Sequence, residues 1–174
     1  MADDQIASLR AAAHPLRLRM LSLLTGSAMS AAEVARELDI THANASYHLR
    51  VLRDAGEVVV DGEERIRGGM AKRYRHPWQD AKAFRGTNPR DREQEIRAMG
   101  NELVRRYGRR RASTAAVLCD AELWVTEEVW EEARELVRRA AVLIHEQARP
   151  PHSEGAVHVN LTAAGFQMDE ETTR

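Results

Sequence analysis

One short stretch of the sequence, residues 41–55, gathers side chains of the types that can read a nucleic acid. Hydroxyl, amide, imidazole and guanidinium groups hydrogen-bond to base edges and to phosphate oxygens. Ala45, Leu49 and Leu52 follow one another at intervals of four and three residues, which predicts an amphipathic helix with these three residues in a core. The opposite face then carries the candidate DNA-binding residues Thr41, His42, Ala43, Asn44, Ser46, Tyr47 and Arg50.

A second group of candidate residues lies between positions 65 and 75, where the sequence has five basic residues and no acid. Val58–Val60 favours a strand, Asp61–Gly62 favours a turn, and Gly68–Gly69 favours a hairpin tip that can approach a DNA backbone closely. The basic residues expected to contact phosphates or to enter the minor groove are Arg65, Arg67, Lys72, Arg73 and Arg75. Reversing the charge of the last two is expected to weaken binding to every DNA sequence. The alternative is an exposed charged hairpin.

Helix-capping signals mark the elements that must position these residues. Ser30 and Glu33 have the spacing of a capping box, which predicts a short helix over residues 31–38. Asp39 tolerates the left-handed conformation needed at the end of that helix, and Thr41 is a second N-cap. Two short helices separated by a three-residue turn have the geometry of a helix-turn-helix.

Two further helices are predicted before this motif. Residues 5–13 have helical spacing of apolar residues, and residues 15–25 form a second helix that begins with a proline and stops at Gly26. His48 lies on the core side of the later helix, where a packed structural histidine is favoured over a DNA contact.

Three stretches of the chain resemble the ArsR-type winged helix-turn-helix family of bacterial regulators. They are residues 13–24, with Arg17 at the family's arginine position, residues 30–58, and the glycine-bearing basic hairpin that ends in Tyr74. Within the second stretch, the residues that match the family pattern are Thr41, Ser46, His48, Leu49, Leu52, Ala55 and Gly56.

The resemblance implies a winged helix-turn-helix fold and a dimeric, DNA-binding transcription regulator, for which we expect repression. The sequence departs from the family at His14, where aspartate is usual, and at Asn44 and Ala45, where threonine and valine are usual. Residues 34–38 lack the paired cysteines of the family's thiolate-metal sensors, which argues against arsenic, cadmium or lead sensing.

The second half of the chain begins with a long predicted helix over residues 90–111. Its apolar residues Ile96, Met99, Leu103 and Tyr107 are three or four apart, so the helix could pair with its copy across a two-fold axis. The arginines at its end could contact a phosphate backbone or lie in solvent.

Residues 115–125 favour a strand, Thr126 caps a helix that reaches about residue 147, and the alternation over 157–162 favours another strand. These two strands could pair within one chain or across a dimer. Dimerisation, effector binding or both could be the task of this extension.

The overall prediction is an α+β fold that is mainly helical. A winged helix-turn-helix domain (1–80) precedes a linker and long dimerisation helix (81–111), and a strand-helix-strand extension (112–174) follows. Residues 81–111 carry ten basic and four acidic side chains, whereas residues 112–174 carry five and twelve. Such asymmetry fits one half that faces nucleic acid and another that faces a different partner, although solvated helix faces would also explain it.

A small-molecule effector is possible in the extension but has no clear sequence signal. Trp124, Trp130 and Phe166 could line an apolar pocket, although core positions are favoured. Cys119 is the single cysteine, so an intrachain disulfide is excluded, and its apolar neighbours predict a buried thiol.

No metal or other cofactor is expected. His145, His152 and His158 do not have the helical spacing of a metal-binding pair. The chain also lacks a nucleophile motif, a phosphate-binding loop and a paired-acid site, so catalysis is not expected.

The favoured function is therefore sequence-specific DNA binding by a homodimer. The alternatives are a winged helix that binds a partner protein and a ligand-binding sensor whose DNA binding is secondary. With neither a signal peptide nor an apolar span in the sequence, we expect a cytoplasmic protein without membrane contact.

Overall fold

The structure is a computed structural model that describes residues 14–66, 69–78, 89–114 and 116–169. The helix predicted over residues 5–13 lies outside these ranges. The described residues form five helices and a three-stranded antiparallel sheet. In chain order the elements are α1 (Pro15–Gly26), β1 (Met29–Ser30), α2 (Ala31–Leu38), α3 (His42–Asp54), β2 (Val59–Ile66), β3 (Gly69–Arg75), α4 (Pro89–Tyr107) and α5 (Glu127–Glu146).

The helix-turn-helix of α2 and α3 is built by the capping signals in the sequence. The Ser30 hydroxyl accepts the N–H of Glu33 at 3.3 Å, and the Glu33 carboxylate accepts the N–H of Ser30 at 2.7 Å. Asp39 is left-handed, with φ 55° and ψ 53°, and the Thr41 hydroxyl accepts the N–H of Asn44 at 3.2 Å. The predicted pair of helices and the turn between them are therefore confirmed.

A single apolar cluster joins α1, α2, α3 and the sheet. Ala45, Leu49 and Leu52 are fully buried in it, so the predicted inner face of α3 is confirmed. The other buried members come from every neighbouring element, and they are Met20, Leu21, Leu24, Met29, Val34, Ala35, Leu38, Val58 and Tyr74. Burial of this one face fixes the rotation of α3 about its own axis, and hence the face that it presents outward.

The sheet has the strand order β1-β3-β2, with β3 in the centre. The prediction of a turn at Asp61–Gly62 is wrong, because these two residues lie inside β2 as a β-bulge. Val60 pairs with Tyr74, and the next pair is Glu63 with Lys72, so two residues of β2 face one residue of β3. Gly62 has φ 112°, a conformation that favours glycine and lets the strand continue past the bulge.

The two helices of the second half follow the sequence prediction. The helix expected over residues 90–111 is α4, which ends at Tyr107, and the helix expected after Thr126 is α5. The Thr126 hydroxyl accepts the N–H of Val129 at 3.4 Å. Of the helices in the described ranges, none is long and apolar enough to cross a membrane.

The strands predicted over residues 115–125 and 157–162 are wrong for the single chain. Residues 116–125 and 157–162 form neither helix nor strand. A strand exists only when a neighbour supplies backbone hydrogen bonds, and none of the described residues pairs with these segments in that way. Val117 is 99% exposed and Trp124 is 89% exposed, which shows how little of the chain lies against the first segment.

The end of α5 contacts the helix-turn-helix half of the chain. The His145 ring stacks on Trp78 with 4.5 Å between ring centroids. Beyond the helix, the His152 imidazole lies 3.2 Å from a carboxylate oxygen of Glu37 in α2. These contacts hold the last turn of α5 against the chain.

Candidate nucleic-acid interface

The outward face of α3 is the first part of the candidate interface. Most of the residues predicted for this face are exposed, and Tyr47 is 56% exposed. Ser46 is half-buried and is therefore less accessible than predicted. Thr41 is exposed, although its hydroxyl is engaged in capping. The exposed residues of the predicted set are Thr41, His42, Ala43, Asn44, Tyr47 and Arg50.

The chemistry of this face is polar and free of acid at its start. The first turn of α3 contains no acidic residue, and the helix N-terminus carries a partial positive charge. Asn44 offers both a donor and an acceptor, and Arg50, six residues later, offers a fork of donors. The arrangement can hydrogen-bond to base edges and phosphates, as the sequence predicted.

A pair of histidines lies where α1 meets α3. The His48 and His14 rings are 5.0 Å apart between centroids, and the His14 imidazole also accepts the N–H of Leu16 at 3.2 Å as the cap of α1. Burial, helped by the His14 and Arg17 charges, lowers the pKa of His48. Burial and Arg17 likewise lower the pKa of His14. His48 is half-buried, which supports the structural assignment, whereas the capping role of His14 was not predicted.

Because these pKa values are lowered from 6.5, the folded protein binds fewer protons than the unfolded chain as the pH falls. The stability that neutral His14 and His48 provide is present above their unfolded pKa and is lost as the pH falls through their folded values. We expect the melting temperature to fall between about pH 7.5 and about pH 5.5. Thermal unfolding followed by circular dichroism measures this change.

The matched variants for this pH dependence are His48→Gln and His158→Gln. His48→Gln is expected to make the melting temperature less dependent on pH, because glutamine does not titrate. His158 is exposed and outside the pair, so His158→Gln should leave the dependence as it is. An unchanged pH dependence in His48→Gln would contradict the assignment.

The basic hairpin of β2 and β3 is the second part of the candidate interface, and the structure divides its residues by role. The Arg73 guanidinium lies 3.1 Å from a carboxylate oxygen of Glu33 and 2.6 Å from one of Glu64, and it donates to the carbonyl of Ala28. Arg73 therefore ties the hairpin to the capping box of α2. This side chain is engaged within the protein, contrary to its predicted availability for phosphate.

The Glu33 carboxylate at this junction stays charged for a physical reason. Burial acts to raise its pKa, but hydrogen bonds from Ser30 and the nearby Arg73 guanidinium outweigh burial and lower the pKa overall. No local signal could have revealed this junction, because Glu33 and Arg73 are forty residues apart in the sequence.

Two other basic residues of the hairpin remain accessible. Arg65 pairs with Met70 and Lys72 pairs with Glu63, so both basic side chains lie on the same face of the hairpin as Tyr74. Both are exposed. The remaining two members of the predicted set are different, because Arg75 pairs with Asp61 at 3.3 Å and Arg67 lies outside the described residues.

The basic end of α4 is also partly engaged within the protein. Glu102 is only 6% exposed and pairs with both Arg105 and Arg106. The Arg110 guanidinium lies over the Tyr107 ring, 4.0 Å from its centroid. Arginines in this region therefore stabilise the helix end, which reduces the positive charge offered to a partner.

The aromatic residues predicted to lie in a core or a pocket do neither within the chain. Trp124 and Phe166 are exposed, and Trp130 is half-buried beside Gly165. Cys119 is exposed, so its predicted burial is wrong. For Trp124 the cause is the same as for the missing strands, since the described residues place little against the segment that carries it.

The three histidines of the second half are not brought together. His145 stacks on Trp78, whereas His152 lies beside Glu37. Across the described ranges, no group of three or more His, Cys, Asp or Glu side chains is placed to hold a metal ion.

Comparison with known proteins supports the helix-turn-helix assignment. Residues 12–59 match a family model described as a helix-turn-helix domain, a domain found in ArsR-type and other winged-helix regulators. No curated protein matches the chain. The matched range covers α1, α2 and α3, the helices that share the buried cluster. The chain therefore contains a helix-turn-helix domain, which is typical of DNA-binding regulators.

Proposed function

We propose that this protein is a sequence-specific transcription regulator that binds DNA as a homodimer. In this proposal α3 is the recognition helix in the major groove, and the β2–β3 hairpin is a wing on the backbone or in the minor groove. The observation that carries the proposal is the polar, exposed face of α3 opposite a fully buried one. A helix-turn-helix presents its second helix to DNA in this manner.

The dimensions of α3 suit the major groove. An α-helix with its side chains is about 10–12 Å across, which matches the major groove at about 12 Å wide. The N-terminal residues of a recognition helix contact base edges. Asn44 and Tyr47 lie in this part of α3 and are exposed, so we assign base contacts to them and a phosphate contact to Arg50.

A homodimer is proposed because helix-turn-helix dimers bind two half-sites, and each copy then reads one half-site with its own α3. Apolar side chains exposed on α4, such as Ile96, Leu103 and Tyr107, support contact with a second copy. Repression is the direction that we propose from the resemblance to the ArsR-type family. The proposal assigns no catalytic step and no cofactor to the protein.

The test of the proposed function is binding to a labelled fragment of the gene's own upstream region, at low and near-physiological salt. Random DNA serves as competitor. Binding that survives the competitor and falls steeply with salt is the expected result. Binding that random DNA abolishes at once, or no binding at either salt, would contradict sequence-specific regulation.

The hairpin gives a separate prediction about salt. Replacing Arg65 and Lys72 together by alanine is expected to weaken binding to specific and random DNA alike. The slope of log affinity against log salt should shrink by roughly two, because each lost phosphate contact removes about one unit. Fluorescence anisotropy titrations at several salt concentrations measure the slope.

Arg73→Ala is the matched control for this salt experiment. Because the Arg73 guanidinium is held by Glu33 and Glu64, its loss should lower the free energy of unfolding by about 1 kcal/mol and leave the salt slope unchanged. A slope reduced as much by Arg73→Ala as by Lys72→Ala would show that the structural assignment of Arg73 is wrong.

A further inference from the structure

Helix α5 has an apolar face that the described residues leave largely uncovered. The helix is 20 residues long, which is about 30 Å, and none of its residues is buried. A helix of this length in water normally depends on packing of its apolar face. Leu136, Val137 and Leu143 all remain more than half exposed.

The apolar residues of α5 repeat at the intervals of a coiled-coil seam. Intervals of four, three, four and three residues separate successive members, so they fall on one stripe along the helix. The seam consists of Val129, Ala133, Leu136, Ala140 and Leu143. Trp130, Val137 and Ile144 border it on one side, again seven residues apart.

The chain holds α5 by the side opposite this seam. His145, which stacks on Trp78, occupies the position of the heptad furthest from the seam. Ala141 and Val142 are also partly covered and lie on the side away from the seam. Of the residues that border the seam, Trp130 is partly covered, beside Gly165. The seam is therefore accessible to another molecule while the helix stays attached.

The charges beside the seam indicate what that molecule is. Several charged residues of α5 already pair within the helix, such as Arg138 with Glu135 at 2.7 Å. Glu132 and Arg139 form no ion pair with any residue in the described ranges. They lie seven residues apart on the same flank of the seam, and Glu146 follows seven residues later, so this flank presents a negative, a positive and a negative charge in turn.

We propose that the partner of α5 is the α5 of a second copy, paired antiparallel about a two-fold axis near residues 134 and 135. In this arrangement Ala133 of each copy packs against Leu136 of the other. Glu132 of each copy then faces Arg139 of the other, which gives two opposite-charge contacts by symmetry. On the other flank, Trp130 faces Val137 of the second copy, so apolar contacts continue there.

Other arrangements of the two helices are less favourable. If the antiparallel helices are shifted by one heptad, Arg139 of one copy lies opposite Arg139 of the other, and Glu132 lies opposite Glu146 of the other. Both of these are pairs of like charge. A parallel pair places Glu132 beside Val137 and Arg139 beside Ile144, which leaves both charges without partners. A shift of two heptads pairs Arg139 of one copy with Glu146 of the other, but then only the last half of each α5 contacts its partner.

The test is a charge exchange in the full-length protein, with the dimer dissociation constant measured by sedimentation equilibrium at low ionic strength. Arg139→Glu and Glu132→Arg should each weaken the dimer roughly tenfold, because each replaces two attractive contacts by two repulsive ones. The double variant Glu132→Arg/Arg139→Glu should regain dimer strength close to that of the unmodified protein. Circular dichroism checks that α5 remains helical in every variant.

Glu146→Arg is the matched control, because Glu146 faces no charged residue in the proposed register. It should leave the dissociation constant unchanged, and a stronger effect of Glu146→Arg than of Glu132→Arg would overturn the register. Failure of the double variant to regain dimer strength would overturn the antiparallel pairing.

This inference rests on the homodimer of the proposed function and not on DNA binding. A monomeric wild-type protein would overturn both the homodimer and the α5 pairing. If neither Arg139→Glu nor Glu132→Arg changed the dimer dissociation constant, the α5 pairing alone would be overturned. The upstream-fragment titration of the wild-type protein tests DNA binding separately in either case.

Discussion

Asn44→Ala is expected to weaken binding to the specific DNA site by about 1–3 kcal/mol, which is roughly fivefold to more than a hundredfold in affinity. Asn44 is exposed near the start of α3, and its amide can make two hydrogen bonds to one base. Binding to random DNA should change little, because phosphate contacts supply that affinity. Titrations with specific and random fragments, at one salt concentration, measure the two effects.

Tyr47→Ala is expected to act in the same direction, since the Tyr47 ring is one turn further along the same face and is largely exposed. Neither substitution should lower the free energy of unfolding. Arg53→Ala is the matched control, because Arg53 lies at the other end of α3 and pairs with its neighbour Asp54 at 2.7 Å. Equal loss of specific binding in Arg53→Ala would argue against base contacts from the start of the helix.

Leu49→Ala is expected to destabilise the protein by about 2–5 kcal/mol. Leu49 is 0% exposed and belongs to the cluster that joins α3 to α1, α2 and the sheet. Removing its side chain loses buried apolar surface and leaves a cavity that neighbouring residues fill only in part. Urea unfolding followed by circular dichroism gives the free energy of unfolding.

Tyr47→Ala, two residues earlier on the same helix, is the matched control for this stability measurement. Its side chain faces solvent, so its free energy of unfolding should stay within about 0.5 kcal/mol of the unmodified protein. If Tyr47→Ala were the more destabilising of the two, the rotation of α3 would be wrong, and the assigned DNA-facing residues would change with it.

The sequence alone determined the helix-turn-helix and the outward face of α3. The capping box at Ser30, the left-handed Asp39 and the cap at Thr41 each act over at most a few neighbouring residues. Spacing of the apolar residues then set which face of α3 is buried. These features depend on short-range geometry that the residues carry with them, so the prediction and the structure agree.

The tertiary structure decided what depends on residues far apart in the chain. Arg73 was predicted to contact phosphate, but its guanidinium is held by Glu33 and Glu64. Asp61–Gly62 has the composition of a turn, yet pairing with β3 on both sides makes it a bulge. A basic residue count cannot separate an available charge from a neutralised one, because the neutralising acid can come from any part of the chain.

The second half of the chain also shows that local sequence patterns do not decide which strands form. Val117, Trp124 and Val159 have the side chains of strand residues, but they are exposed and unpaired in the single chain. Helix α5 formed as predicted, because a helix satisfies its hydrogen bonds within itself, whereas a strand needs a neighbour. The helices and their caps therefore follow from short-range signals in the sequence, whereas the pairing of strands and of charged groups depends on residues that the fold brings together.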